Sequence, residues 1–168
     1  MRKFRALSLL CLTLLFGGAA AGQTVTSTYD KDYGLSRLDT YEFSSEERDR
    51  SDPLATNTLT AGKIKDALEE ELQNSGHRPP PQGGAPSFLV SFHVRAEDKV
   101  EEYGGKTAYV QGVLVVDFHD AATKKLVWRG VVTGVVGRSS VDLRLAEEAA
   151  KNAAKMLLEQ FGRDQLGF

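Results

Sequence analysis

Sulfur is nearly missing from this chain: among 168 residues there are one cysteine and two methionines. A single thiol cannot close a disulfide within the chain, and no cysteine cluster exists to hold zinc. The lone Cys11 has Leu10 before it, and the apolar run continues through Leu15 and Phe16. A lipobox needs a small residue directly before its cysteine, so this setting argues against a lipid anchor. Long hydrophobic runs are lacking too. The stretch from Ala6 to Phe16 falls short of the roughly 20 apolar residues that cross a bilayer as a helix, and no later segment approaches that length. A membrane span is therefore not expected. There is no basic excess either: 21 Lys and Arg stand against 23 Asp and Glu, a net charge of −2. Without a stripe of Lys and Arg the chain has no means of tracking a phosphate backbone, which excludes a nucleic-acid role. Cofactor motifs are also absent. Gly83-Gly84 and Gly104-Gly105 lack the strand–glycine–helix setting and the Lys-Ser/Thr of a phosphate loop, so both read as turns.

What is present begins with a secretory leader. Arg2, Lys3 and Arg5 make a basic start, Ala6 to Phe16 an apolar core, and Gly17 to Gly22 a small-residue tail. Cleavage is expected after Ala21 or Gly22, so residues 1–22 form a removable signal and 23–168 one domain. Loss of the three leader cations shifts the net charge from −2 to −5. The expected location is the periplasm.

Along the mature chain, Val25 to Tyr29 and Thr40 to Phe43 are short strand candidates. Asp52-Pro53 opens a helix with Ala61, Ile64, Ala67, Leu68 and Leu72 on one face, and Gly76 suits its left-handed C-cap. A proline- and glycine-rich loop, 79–86, follows. From Phe88 the period drops to 2, with Phe88, Val90, Phe92 and Val94 on one side and Leu89, Ser91, His93 and Arg95 on the other. Two further strands are expected, Ala108–His119 and Leu126–Val136, the first reached through a charged connection from Glu97 to Lys106. Ser139 with Asp142 then caps a second helix that Gly162 should stop. The order β-β-α-β-β-β-α predicts an α+β fold: an antiparallel sheet of about five strands with two helices packed on one face.

Several blocks carry a family likeness. They are Tyr29-Asp30, Leu38-Asp39-Thr40-Tyr41, Asp52-Pro53, Gly76-His77-Arg78, and the run from Pro86 to Val94. The strongest runs from Gly112 to Asp120 and on through Ala122-Thr123-Lys124-Lys125-Leu126-Val127-Trp128-Arg129-Gly130. Together they resemble the bacterial domain-of-unknown-function family 4136 over nearly the whole mature chain. The resemblance implies an exported, often lipid-anchored envelope domain with no assigned activity and no established site residues. Lacking a lipobox, this chain departs from that pattern toward a free periplasmic protein.

Chemistry-bearing residues are few. Ser91, His93, Asp117 and His119 share one sheet face by parity and could form a hydrolytic or metal site if the register let them converge. The alternative is a solvated polar face, with Asp117 paired to Arg129 across strands. The same face carries Val113, Val115, Val127, Arg129, Val131 and Val135, a mixed surface fit to contact a protein partner or a second copy of the chain. A non-enzymatic interaction module is the expected function. A small-ligand carrier with a cavity between sheet and helices, and an enzyme using His93, Asp117 and His119, are the alternatives. No metal or cofactor is expected.

Overall fold

A computed structural model of the protein describes residues 23–44, 58–101, 107–137 and 143–167. The leader, the Asp52-Pro53 helix start and the Ser139/Asp142 cap lie outside the described residues. Among the described residues, five strands and two helices follow in the order β1 (Thr24–Tyr29), β2 (Tyr41–Phe43), α1 (Thr58–Asn74), β3 (Phe88–Glu101), β4 (Thr107–Asp120), β5 (Leu126–Gly137) and α2 (Leu143–Leu166). A single 3-10 turn, Leu35–Arg37, joins β1 to β2.

The strands form one sheet in the order β1-β5-β4-β3-β2. The α+β architecture matches expectation, with one pairing reversed: β2 runs parallel to β3, while the other three pairings are antiparallel. The cause is α1, which intervenes between β2 and β3 and carries the chain back so that both strands start from the same end. Ser87 fastens that start. Its Oγ accepts the amides of Asp39 and Thr40, both at 2.9 Å, and donates to the Thr40 carbonyl.

Alternation decides the layers. Tyr41, Phe88, Val90, Leu114, Val116, Phe118, Trp128 and Val132 turn to the helix side and are buried with Ile64, Leu68 and Leu72 of α1 and Ala154, Leu157, Leu158 and Phe161 of α2. Aromatic rings fill the middle. Phe118 lies 4.9 Å from Phe88 and from Phe161, and 4.8 Å from Trp128, between centroids.

Three local expectations are corrected. The first part of the charged connection, Glu97 to Glu101, is strand. It extends β3 to Glu101, which pairs with Thr107, because ladder bonds use the backbone and tolerate polar sequence. Gly162 does not end α2 either. The helix runs to Leu166 and terminates at Gly167, with φ +76°. One interior glycine costs about 1 kcal/mol relative to alanine, and the turn beyond is anchored: Asp164 accepts the Trp128 indole N–H at 2.7 Å, and Gln165 donates to the Leu35 carbonyl. Gly76 does form the left-handed cap of α1, with φ +92° and the His77 amide bonded to the Leu72 carbonyl.

The third correction concerns β5. Phe118 pairs with Trp128 but the next residue, His119, pairs with Leu126, so Val127 is an extra residue in a bulge. One inserted residue reverses the alternation. Val127 is consequently 2% exposed and part of the core, while Leu126 is 41% exposed.

Candidate functional site

The helix-free face of the sheet holds Ser91, His93, Val113, Val115, Asp117, His119, Arg129 and Val131, and the register sets them in rows. One row crosses Ser91, Asp117, Arg129 and Thr28. The next crosses His93, Val115, Val131 and Thr26, and a third Arg95, Val113, Thr133 and Thr24. A fourth crosses Leu89, His119 and Leu126. Val135 stands opposite Gln111 at the far end. Val127 does not belong to this face, for the reason given by the bulge.

This arrangement brings Ser91 to Asp117 but keeps the histidines apart. His93 and His119 sit at register positions four residues distant, roughly 13 Å at 3.3 Å per residue. Asp117 is already engaged. Arg129 Nε donates to its Oδ1 at 2.6 Å and Nη2 to its Oδ2 at 2.7 Å, a bidentate pair across β4 and β5. Those bonds hold the guanidinium above its usual range. The carboxylate is 3% exposed, so the pair also satisfies a charge that would be costly to bury alone. Both Asp117 oxygens are engaged by Arg129, and no hydrogen bond from a histidine to Asp117 occurs among the described residues. Among the described residues no three His, Cys, Asp or Glu side chains come together as metal ligands.

Around the ion pair the face is mixed. Val113, Val115, Val131 and Leu89 are half-buried, whereas His93, Arg95 and Arg129 are exposed. Val115 and Val131 are direct cross-strand partners, and Val113 lies two residues along the same side of β4. At one corner, where β2 meets the β4–β5 turn, a groove of about 480 Å³ is lined by Glu42, Phe43, Pro86, Leu89, Ala121 and Lys124. Its turn is held by Asp120, whose carboxylate accepts Thr123 N–H and the Tyr33 hydroxyl, the latter at 2.7 Å. These bonds pull Asp120 down to about 2, while burial and Asp120 push Tyr33 up to about 12.

One titratable residue that the periodicity did not single out is His77, after the α1 cap. Buried at 8% exposure, it meets Phe88 edge-on at 5.7 Å and Phe161 at 5.6 Å. Burial lowers its pKa, against hydrogen bonds at Leu38 and Asp39 and the charge of Asp39. Its signal in the sequence is only a histidine following a helix-capping glycine. A depressed folded pKa means that stability is complete above the unfolded value of about 6.5 and is lost as pH falls through the folded value. Urea unfolding midpoints should therefore drop between pH 7.5 and 5, and His77→Phe should flatten that drop.

Among the described residues, the fold is an α+β domain whose two helices pack on one face of the sheet and leave the candidate residues on the other. The chain belongs to the family described as Domain of unknown function (DUF4136), whose model matches residues 25–161. Among solved structures it is similar to the PelC dodecamer from Paraburkholderia phytofirmans, with 15% identity and a TM-score of 0.56 over 83% of this chain and 97% of that one. It is also similar to a PDZ domain protein from Parabacteroides distasonis, with 13% identity and a TM-score of 0.57 over 83% of this chain and 36% of that one. A DUF4136 family protein from Bacteroides thetaiotaomicron matches at 16% identity and a TM-score of 0.49, over 83% and 96% of the two chains. At these identities the likeness is one of fold. No curated protein matches the chain. No helix among the described residues is long and apolar enough to cross a membrane.

Proposed function

We propose that this chain is an exported, non-enzymatic interaction module of the cell envelope, and that its contact surface is the sheet face away from the helices. One observation carries the proposal: Val113, Val115 and Val131 adjoin one another, half-buried, on a face that neither helix covers. Large contiguous apolar patches on a soluble domain commonly mark an interaction site. Export is supported by the three-part leader in residues 1–22. Self-association is supported by the fold's occurrence as a dodecamer in PelC. The geometry offers little to a hydrolase or metal enzyme on His93, Asp117 and His119, because those residues diverge and Asp117 is bonded to Arg129. A small-ligand carrier is the second reading. It is favoured by the corner groove, whose volume falls within the range of ligand sites, roughly 300–1,000 Å³.

The full chain, expressed and recovered from the periplasm, should begin at Gly22 or Gln23 by mass spectrometry. Val115→Lys with Val131→Lys should then weaken self-association at least tenfold by light scattering while leaving the thermal transition nearly unchanged. A cytoplasmic, uncleaved product would refute export. Collapse of the fold in the double variant would show that the valines are core.

A further inference from the structure

Sheets end in edges, and the two edges here differ. On one side β2 is three residues long, and its start is covered: the Tyr41 amide donates to the Arg78 carbonyl, and the Arg78 amide to the Asp39 carbonyl. On the other side β1 is six residues long and, among the described residues, pairs with β5 alone.

Which of its backbone groups face outward follows from one bond. The Asp30 amide donates to the Val127 carbonyl at 3.0 Å, and the β1–β5 register makes those two residues opposite each other. They are thus a hydrogen-bonded pair of the antiparallel ladder, and such pairs recur at every second residue. Thr28, Thr26 and Thr24 therefore spend their amides and carbonyls on β5. Val25, Ser27 and Tyr29 aim theirs away from the sheet, and no backbone bond to them occurs among the described residues.

Protein edges are ordinarily guarded by lysine, proline, a bulge or a covering element. From Thr24 to Tyr29 there is no charge, no proline and no glycine, and four of the six residues are β-branched. Among the described residues this is an unguarded edge of high strand propensity.

We propose that β1 is a self-association edge: it pairs antiparallel with the β1 of a second copy about a two-fold axis at Ser27, joining the two sheets into one. The strand's own sequence argues for that occupant. With Ser27 opposite its counterpart, Val25 meets Tyr29 on the helix side, where both already pack partly buried against the core. On the open face Thr26 meets Thr28, and Thr24 meets Asp30. Each outward residue exchanges both bonds with its partner, apolar meets apolar, and no like charges face one another. The edge is distinct from the valine stripe of the open face and does not depend on it.

Sedimentation velocity of the purified protein tests this with three variants. Ser27→Pro removes only an outward amide, so the β1–β5 ladder survives. It should weaken the dimer at least tenfold. Thr26→Lys with Thr28→Lys sets like charges across the axis and should do the same. Thr26→Lys with Thr28→Glu sets opposite charges across it and should restore the dimer. A wild-type protein that stays monomeric at high micromolar concentration overturns the proposal. So does an assembly that Ser27→Pro and the lysine pair both leave intact; if Val115→Lys with Val131→Lys breaks that assembly, the open face is the interface and the edge is not. Should Ser27→Pro unfold, the contrast between the lysine pair and the Lys/Glu pair decides.

Discussion

Trp128→Ala is expected to lower stability by about 3–5 kcal/mol, the range for removing a large aromatic from a packed core. The ring is fully buried, 4.8 Å from Phe118 and 5.2 Å from Phe161 between centroids. Its loss opens a void that rings already held on several sides cannot collapse to fill. A second cost adds to the first. The indole N–H donates to Asp164 Oδ2 at 2.7 Å, and Asp164, only 6% exposed, keeps just the Gln160 amide at 2.9 Å on its other oxygen once the indole is gone. Trp128→Phe separates the two costs. It retains most of the ring contact and removes the donor, so about 1–3 kcal/mol should be lost for the orphaned carboxylate alone. Far-ultraviolet circular dichroism in urea is the suitable readout, because Trp128 is the single tryptophan and its fluorescence vanishes with it. A Trp128→Phe variant as stable as the wild type would show that Asp164 finds water or another partner and that the bond contributes little.

Gly130→Ala should cost about 1–3 kcal/mol by overpacking. A Cβ there would stand 2.2 Å from Trp128 Cη2 and 2.5 Å from Leu157 Cδ2. Neither neighbour can retreat easily, since the indole is fixed by Asp164 and Leu157 is fully buried in α2. The glycine is what lets α2 lie close over β5. Gly134 is the control, four residues along the same strand face. A Cβ there would meet Gln23 Cγ at 2.5 Å, and that flexible side chain can swing aside for the loss of its bond to the Ala149 carbonyl. Thermal denaturation should rank Gly130→Ala well below Gly134→Ala. Equal midpoints would mean that α2 shifts outward without penalty.

The site was legible in one respect. Strict alternation put Ser91, His93, Asp117 and His119 on a common face, and all four are found there, with Asp117 bonded to Arg129 as the alternative reading anticipated. Val127 was not legible. Nothing in Leu126-Val127-Trp128 marks which residue is the extra one. A bulge forms where Trp128 gains more by seating its ring on Phe118 and its N–H on Asp164 than the ladder loses by skipping a pair. The end of α2 was misplaced for a similar reason. Gly162 weakens the helix locally, but the bonds of Asp164 and Gln165 to distant parts of the chain carry it another turn.

By itself, then, the sequence determined the secondary-structure order, the core-facing residues of β3 and β4, the α1 cap at Gly76 and the family, because each depends on neighbours within a few residues or on the period of the pattern. The parallel pairing of β2 with β3, the four-residue offset that separates His93 from His119, the bulge that buries Val127 and the place of β1 at the end of the sheet were decided only by tertiary structure. All four depend on which strands meet and in what register, and that choice is made by contacts between residues far apart in the chain, where local periodicity carries no information.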